Sequence, residues 1–248
     1  MNKSILITGA SSGIGEALAR EMARRGYRLA LLARRFEKLE ELRGELLMLG
    51  APQVCVRALD VREAAAIEPA LQACAEELDG LDIVVANSGV AHTCRIGEGT
   101  LEQLLETIEV DLSGACATVD AAVRHFRARG HGQVVGITSV ARYRGLPRFG
   151  AYSAAKEGLH RYLQALRLES YHEPITVTEI APGYIDTPMN RGAASRPFVI
   201  DVEQGARLMA DRIERGVTYA TVPALPWRLL GRLMQILPAR LLAIPARK

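Results

Sequence analysis

Tyr152 and Lys156 are four residues apart in a Tyr-x-x-x-Lys segment, and this spacing places both side chains on one face of a helix. A free tyrosine has a pKa of about 10, whereas a general acid–base residue works best with a pKa nearer neutrality. The lysine ammonium and the positive end of the helix dipole both act to lower the tyrosine pKa. The pair therefore predicts proton transfer by Tyr152, although the same spacing also occurs by chance in many helices.

A glycine-rich segment joins the first apolar strand to the first helix and reads TGASSGIG from Thr8 to Gly15. Glycine lets the backbone turn tightly and approach a pyrophosphate, and the helix N-terminus supplies partial positive charge. An ordinary tight turn would also use glycine, but G-x-x-x-G-x-G at the first strand–helix junction favours dinucleotide binding. The residues predicted to contact the dinucleotide are Gly9, Ser11, Ser12, Gly13, Ile14 and Gly15.

Two arginines, Arg34 and Arg35, end the second apolar segment. A Rossmann site that prefers NAD usually presents a carboxylate to the ribose 2′-hydroxyl at this point, and no acidic residue stands there. A guanidinium can instead bind the 2′-phosphate of NADP(H) in a bidentate manner. The pair favours NADP(H), with a solvated basic pair at a strand end as the alternative.

Apolar segments of strand length alternate with longer segments of helical period along the chain. We predict strands at Ile5–Thr8, Arg28–Ala33, Val54–Leu59, Ile83–Ala86, Gln133–Thr138, Thr176–Ile180 and Thr218–Val222. We predict helices near residues 14–25, 36–49, 63–78, 101–128, 152–171 and 202–215. Strands this apolar are covered on both faces by helices. The pattern predicts one α/β domain over residues 1–248, a Rossmann-type doubly wound, seven-stranded parallel sheet.

The T-G-x-x-x-G-x-G loop and the Y-x-x-x-K pair resemble motifs of the short-chain dehydrogenase/reductase family, over roughly residues 3–190. The resemblance implies hydride transfer between a nicotinamide cofactor and a carbonyl or alcohol. Ser139, at the end of the fifth strand and 13 residues before Tyr152, matches the family's serine spacing. By this resemblance, Ser139 and Tyr152 hold the substrate oxygen, Tyr152 transfers the proton, and Lys156 holds the nicotinamide ribose.

Three further segments resemble cofactor contacts of the family. Asp60 and Val61 match an adenine-contacting pair, although a helix N-cap would use the same aspartate. Asn87 and Gly89 keep two positions of the family's N-N-A-G, in which Ala86 replaces the first asparagine. For the segment after the sixth strand, the resemblance implies contacts to nicotinamide and phosphate from Pro182, Gly183, Ile185 and Thr187. An ordinary strand-to-loop turn is the alternative there.

One position departs from the family in a way that bears on catalysis. The family's fourth catalytic residue is usually the asparagine of V-N-x-x-G, and residues 110–114 here read VDLSG. Asp111 keeps an oxygen acceptor for a water that leads to Lys156, but it adds a negative charge beside the ammonium. Either the proton relay works with Asp111 as the fourth catalytic residue, or this chain is impaired.

Composition excludes several classes of protein. The net charge is only +3, and about half of the 248 residues are hydrophobic, which argues against disorder and against a nucleic-acid-binding surface. The four cysteines are scattered, which predicts reduced thiols in a cytoplasmic compartment. The N-terminal apolar run is too short for a signal peptide, and we predict neither a membrane span nor a metal site.

The substrate side is expected on loops Val90–Gly99, Val140–Gly150 and Met189–Ile200, the last being the predicted substrate loop at about 189–200. Arginines 142, 144 and 148 in the middle loop suggest either an anionic substrate or ordinary surface charges. The tail, about residues 224–248, contains five basic residues and no acidic one. Its apolar residues at helical spacing are Leu230, Leu233, Met234 and Leu237, with Arg228 and Arg232 opposite. This pattern fits a helix closing the substrate pocket, a subunit contact, or a stretch on an anionic membrane surface.

The leading hypothesis is an NADP(H)-dependent oxidoreductase that acts on a small carbonyl or alcohol. The resemblance implies a homodimer or homotetramer formed through the helices near 101–128 and 152–171. The rival hypothesis is an NADP(H)-binding regulatory or scaffold protein with little turnover, and its support is Ala86 and Asp111.

Overall fold

The computed structural model describes residues 2–191 and 195–242, with the side chains of 241 and 242 left aside. Residues 192–194 of the predicted substrate loop and 243–248 of the predicted tail therefore lie outside the described residues. The strands are β1 Ser4–Thr8, β2 Arg28–Ala33, β3 Val54–Ala58, β4 Ile83–Ala86, β5 Gly132–Ile137, β6 Ile175–Pro182 and β7 Tyr219–Val222. The helices are α1 Gly13–Arg24, α2 Phe36–Met48, α3 Ala64–Glu77, α4 Leu101–Ile108, α5 Ala115–Arg129, α6 Gly150–Glu169, α7 Val202–Glu214, α8 Trp227–Ile236 and α9 Ala239–Leu242.

Within the described residues, the strands form one seven-stranded parallel sheet in the order β3-β2-β1-β4-β5-β6-β7. The central strand β1 pairs with β2 on one side and with β4 on the other. The chain order reverses at this point, and in open α/β sheets a crevice opens there beyond the carboxyl ends of the strands. The predicted Rossmann-type, doubly wound single domain is confirmed.

Both faces of the sheet are buried, because strands such as β1 consist entirely of buried residues. One face packs against α1, α2 and α7 through residues such as Leu18, Leu39 and Met209. The other face packs against α3, α5 and α6 through residues such as Phe126 and Leu159. These two apolar layers hold the carboxyl edge of the sheet in place.

The helix predicted near 101–128 is interrupted. A π-helical segment, Glu109–Gly114, separates α4 from α5 and contains Asp111. The end of this segment lies close to Val61 because residue 114 is a glycine. An added Cβ at Gly114 would lie 2.7 Å from the carbonyl oxygen of Val61. A π segment inside a helix often marks a functional site, because it redirects side chains that a regular helix would place elsewhere.

The stretch with helical spacing in the predicted tail forms α8, Trp227–Ile236. Among the described residues, no helix combines the length and the apolar character that crossing a membrane requires.

Candidate active site

A cleft of about 600 Å³ opens at the carboxyl edge of the sheet. It lies where the strand order reverses, so residues from eight separate segments of the chain meet there. Those sequence-predicted residues that line it are Gly9, Ser11, Ser12, Gly13, Ile14, Gly15, Arg34, Arg35, Asp60, Val61, Asn87, Gly89, Ser139, Tyr152, Lys156, Pro182, Gly183, Ile185 and Thr187. Asp111 does not line the cleft and lies behind Lys156 and Gly89.

The glycine loop forms the floor of one half of the cleft. Gly9 and Gly13 have φ values of +66° and +59°, which residues with a Cβ rarely adopt. An added Cβ at Gly15 would lie 2.5 Å from the carbonyl oxygen of Gly9 and 2.6 Å from Nδ2 of Asn87. Ser12, the N-cap of α1, makes no capping hydrogen bond with its side chain among the described residues. The Ser12 side chain therefore does not compete with a phosphate for the N–H groups in the first turn of α1.

Asn87 holds this loop against β4. Its Nδ2 donates to the carbonyl of Thr8 at 2.8 Å, and its backbone N–H donates to Oγ1 of Thr8 at 3.0 Å. The Thr8 hydroxyl donates in turn to the carbonyl of Val85. The loop and the segment after β4 are thus fixed relative to each other even though Ala86 replaces the family's first asparagine.

The two arginines after β2 have different partners. Arg35 donates to the hydroxyl groups of Ser11 and Ser12 at 3.0 and 2.7 Å, so it lies directly on the glycine loop. Arg34 is half-exposed, and its Nη1 lies 3.5 Å from Oε1 of Glu106 on α4. Both guanidinium groups therefore reach the end of the cleft where an adenosine ribose would lie in the family.

Asp60 does not cap α3, because that helix begins at Ala64 with Glu63 as its N-cap. Its carboxylate accepts hydrogen bonds from the Arg62 guanidinium, the shortest at 2.6 Å. This side-chain hydrogen bond is the main reason that the pKa of Asp60 lies below its usual value. The helix N-cap interpretation is wrong, and Asp60 is a charged group at the rim of the cleft.

Three elements bring Ser139, Tyr152 and Lys156 together. Ser139 follows β5, and its Oγ accepts from the N–H of Ala141 at 3.1 Å, which starts a short 3₁₀ turn at Val140–Tyr143. Tyr152 lies in the first turn of α6, and Lys156 follows one turn later. The Lys156 ammonium lies 5.6 Å from the centre of the Tyr152 ring. The four-residue spacing therefore places the two groups on one wall of the cleft.

Lys156 is buried and held by two oxygen atoms. Its Nζ donates to the carbonyl of Ile137 at 3.2 Å and lies 3.2 Å from Oδ2 of Asp111. Oδ1 of Asp111 accepts from the backbone N–H of Val90 at 2.7 Å. The carboxylate is completely buried and in direct contact with the ammonium, so no water separates these two groups. The relay water expected between Asp111 and Lys156 therefore has no place between their contacting atoms.

This charge arrangement acts on the ionisation of Tyr152. Burial raises the pKa of Tyr152, the Lys156 ammonium opposes this, and the Asp111 carboxylate adds to it. The net result is a pKa above the usual value, and the lowered value expected from the sequence is wrong. Burial alone would lower the pKa of Lys156, but Asp111 and Tyr152 raise it above its usual value. Burial also raises the pKa of Asp111.

The segment after β6 closes the cleft opposite the glycine loop. The N–H of Gly183 donates to the carbonyl of Val222, and an added Cβ at Gly183 would collide with the indole of Trp227. Thr187 is buried, and an added Cβ at Gly13 would lie 3.5 Å from it. This turn is packed closely against both the glycine loop and α8, unlike an ordinary exposed turn.

Comparison with known proteins agrees with this geometry. Residues 3–197 match the family described as short chain dehydrogenase. The chain belongs to this family. This short-chain dehydrogenase is 38% identical over 241 residues to an uncharacterized oxidoreductase of Mycobacterium tuberculosis. The match covers 96% of this chain and 95% of that protein. An uncharacterized oxidoreductase of Myxococcus xanthus is 34% identical over 249 residues, 99% of this chain and 97% of that protein.

A solved structure shows the same architecture. An alcohol dehydrogenase from the archaeon Thermococcus sibiricus, complexed with 5-hydroxy-NADP, superimposes with a TM-score of 0.80 at 30% identity. The match covers 89% of this chain and 95% of that one. The protein is therefore an oxidoreductase of the short-chain dehydrogenase family.

The sequence did not reveal a buried charge cluster behind the active site of this short-chain dehydrogenase. Glu179 on β6 is completely buried and accepts from Oγ1 of Thr138 at 3.0 Å and from Nδ1 of His160 at 2.8 Å. Arg142 Nε lies 3.0 Å from its Oε1, and Arg167 Nη2 donates to its Oε2 at 3.3 Å. The cluster ties the 3₁₀ turn after Ser139 to β6 and to the helix that carries Tyr152.

Two of the three arginines in the middle loop have partners elsewhere in the fold. Arg142 is buried against Glu179. Arg144 donates from Nη1 to the carbonyls of Met234 at 3.0 Å and Leu237 at 2.6 Å, so it caps the last turn of α8. Arg142 is neither a substrate-binding residue nor a surface charge, so both interpretations made from the sequence are wrong for it. The reason is that its partner, Glu179, lies on β6.

Other residues that line the cleft were not predicted individually from the sequence, although Val90, Ala91, Met189 and Asn190 lie in predicted substrate loops. They are mostly apolar or small, and only the meeting of distant loops identifies them. They are Ala33, Leu59, Ser88, Val90, Ala91, Val110, Ile137, Thr138, Pro188, Met189 and Asn190.

Proposed function

We propose that this protein is an NADP(H)-dependent oxidoreductase that interconverts a carbonyl and an alcohol, with Tyr152 as the proton donor and acceptor. The observation that supports this most strongly is that Tyr152, Lys156 and Ser139 line the same cleft as the glycine loop. When bound, the nicotinamide would supply or accept the hydride. The remaining chemistry concerns the proton, the substrate oxygen and the exclusion of water.

The residues of the cleft fit a dinucleotide. The close approach of Gly15 to Gly9 leaves no room for a Cβ, and a Cβ at Gly89 would lie 3.5 Å from Nζ of Lys156. The loop therefore presents backbone N–H groups to a phosphate, while Lys156 can hold a ribose hydroxyl group. Arg34 and Arg35, with no acidic residue at that strand end, favour the 2′-phosphate of NADP(H) over the ribose hydroxyl of NAD.

Tyr152 performs the proton step. Because its pKa lies above the usual value, Tyr152 is a neutral phenol near pH 7 and can donate its proton to a substrate oxygen. The Ser139 hydroxyl, at the end of β5, donates a second hydrogen bond to that oxygen. The Lys156 ammonium then stabilises the phenolate that remains. The protonation state of the cleft therefore suits reduction of a carbonyl, and oxidation of an alcohol requires a higher pH.

The substrate side has apolar lining residues, and an aromatic cluster begins directly after the lining residue Gly183. Val90 and Met189 line the cleft, and Tyr184 and Phe198 each lie 6.0 Å, ring to ring, from Trp227. Of the loops predicted on this side, Val90–Gly99 and Met189–Ile200 contribute Val90, Ala91, Met189 and Asn190 to the lining of the cleft. We propose an apolar small molecule as substrate, since Arg142 and Arg144 of the middle loop pair with other parts of the chain.

Self-association through α4 and α6 is part of the proposal. Leu101, Leu104 and Leu105 on α4 are exposed, as is Tyr162 on α6. Covering these side chains in a homodimer or homotetramer would remove apolar surface from water.

The test is consumption of NADPH over a panel of ketones, aldehydes and quinones, by the wild type and by Tyr152→Phe. Loss of the proton donor should lower kcat by about two orders of magnitude with little change in NADPH affinity. Tyr171→Phe is the matched control, because Tyr171 is an exposed tyrosine just beyond α6. Near-full turnover by Tyr152→Phe would refute the mechanism. Tight NADPH binding without turnover on any substrate would favour the regulatory alternative, in which the Asp111–Lys156 ion pair disables the site.

A further inference from the structure

The helix α8 buries most of the apolar face that its sequence suggests. Trp227 and Gly231 are buried, and an added Cβ at Gly231 would collide with the ring of Tyr143. Leu230, Met234 and Leu237 are half-buried on the same side. The apolar stripe expected from the sequence therefore packs against the body of the protein, except for Leu233.

A second apolar stripe points outward. Leu229, Leu233 and Ile236 are spaced four and three residues apart, and they are exposed to 61%, 44% and 78%. Leu225, just before the helix, is exposed to 65%. Residues three and four apart share one face of a helix, so Leu229, Leu233 and Ile236 form a continuous exposed row about 10 Å long.

Basic residues flank this row on one side. Arg228 and Arg232 are exposed and lie one turn apart, and Arg240 follows in α9. Residues 224–248 contain no acidic side chain. An exposed apolar row beside a cationic row is the pattern of a helix that lies in the plane of a membrane interface.

The buried side of α8, which carries Trp227, lies near the substrate side of the cleft. Phe198 is 56% exposed and packs edge-on against Trp227 beneath α8. Met189 lines the cleft and is 49% exposed. Exposed apolar side chains therefore occur both at the mouth of the cleft and beside Trp227.

We propose that the outward face of α8 binds an anionic lipid surface. Leu229, Leu233 and Ile236 enter the interface, and Arg228 and Arg232 pair with lipid phosphate groups. A second copy of the chain is a poorer occupant, because a two-fold contact through this face would bring the two arginine rows together. The row is also narrow compared with the roughly 800 Å² per partner that a stable dimer buries.

The experiment is co-sedimentation of the full chain with vesicles of phosphatidylcholine alone or with added phosphatidylglycerol. We expect affinity for the anionic vesicles to be at least about tenfold higher, and Arg228→Gln/Arg232→Gln to remove most of that difference. Leu229→Gln/Leu233→Gln/Ile236→Gln should lower binding to anionic vesicles at least about tenfold. Emission of Trp227, the single tryptophan, reports whether α8 remains folded, because this side chain is buried beneath it.

The matched control is Leu47→Gln/Met48→Gln/Leu168→Gln, whose three side chains are exposed to 45%, 84% and 78% on α2 and α6. It should bind vesicles like the wild type. Equal binding by the stripe variant and this control would overturn the proposal. The proposal would also be overturned if the protein did not bind vesicles and instead formed a dimer that only the stripe variant dissociates. The outward face of α8 would then contact a second copy. Neither result bears on the proposed reaction.

Discussion

Replacing Glu179 by glutamine is the most direct test of how the active-site turn is held. The carboxylate accepts from Thr138 and His160 and faces the guanidinium groups of Arg142 and Arg167 at 3.0 and 3.3 Å. Glutamine keeps the shape of the side chain but removes the negative charge and adds an N–H donor. That donor would face the two arginines. Arg142 would then keep the more distant Glu157 at 3.6 Å, and Arg167 would keep the carbonyl oxygens of Val177 and Thr218.

The magnitude follows from burial. Removing one partner of a buried ion pair costs about 3–5 kcal/mol. For a chain of this size, 1 kcal/mol changes the Tm by about 2–4 °C, so Glu179→Gln should lower the Tm by roughly 6–20 °C. The control is Glu173→Gln, which removes the carboxylate that accepts from Arg127 at 3.0 Å at the protein surface. An exposed pair contributes at most about 1 kcal/mol, so this change should stay within about 4 °C.

The pH dependence gives a second measurement of the same carboxylate. Burial tends to raise the pKa of Glu179, but His160 and Arg142 outweigh it, and the pKa lies below its usual value. A carboxyl group with a lowered pKa in the folded state stabilises the protein above its unfolded-state pKa, and loses this effect as the pH falls through the folded-state value. The Tm difference between wild type and Glu179→Gln should therefore be full near pH 7 and shrink in acid.

The assay is thermal unfolding followed by circular dichroism from pH 3 to pH 8, for the wild type and the two glutamine variants. Similar small Tm changes for Glu179→Gln and Glu173→Gln at pH 7 would refute the reasoning. A difference that persists unchanged into acid would show that the charge of Glu179 is not what stabilises the turn.

Three further predictions concern the cleft. Asp111→Asn removes a charge that raises the Tyr152 pKa, so the rise of kcat for alcohol oxidation should move to lower pH; an unchanged profile would exclude this electrostatic effect. Glu106→Gln releases Arg34 and should strengthen NADPH binding about threefold, the scale of an exposed ion pair. The affinity for NADH, measured by calorimetry, should not change, and equal changes for both cofactors would contradict the prediction. Gly15→Ala should weaken NADPH binding at least about tenfold, because its Cβ would lie 2.5 Å from a loop carbonyl oxygen. Gly44→Ala, with nothing within 4 Å of its Cβ, is the control and should bind normally.

Much of the fold and of the cleft could be predicted from local patterns. The alternation of apolar strands and helices predicted all the strands of the sheet to within a residue or two at most ends. Parallel strands end at one edge, so motifs that follow strands in the sequence must meet there. This is why the glycine loop, Arg34, Ser139 and Tyr152 could be placed at one cleft without coordinates.

The sequence by itself determined that the glycine loop, Arg34, Ser139 and Tyr152 reach the cleft, since that depends on spacing along each strand and helix. Only the tertiary structure decided their electrostatic state, because burial and charges from distant segments set it. The contact of Asp111 with Lys156 across 45 positions, and the burial around Tyr152, reversed the expected direction of the tyrosine pKa. Arg142 appeared to be an exposed loop residue until β6 brought Glu179 against it. Contacts with Tyr143 and Arg144 likewise decided which face of α8 is buried. These two residues lie in another loop, so the helical pattern of α8 alone does not reveal them.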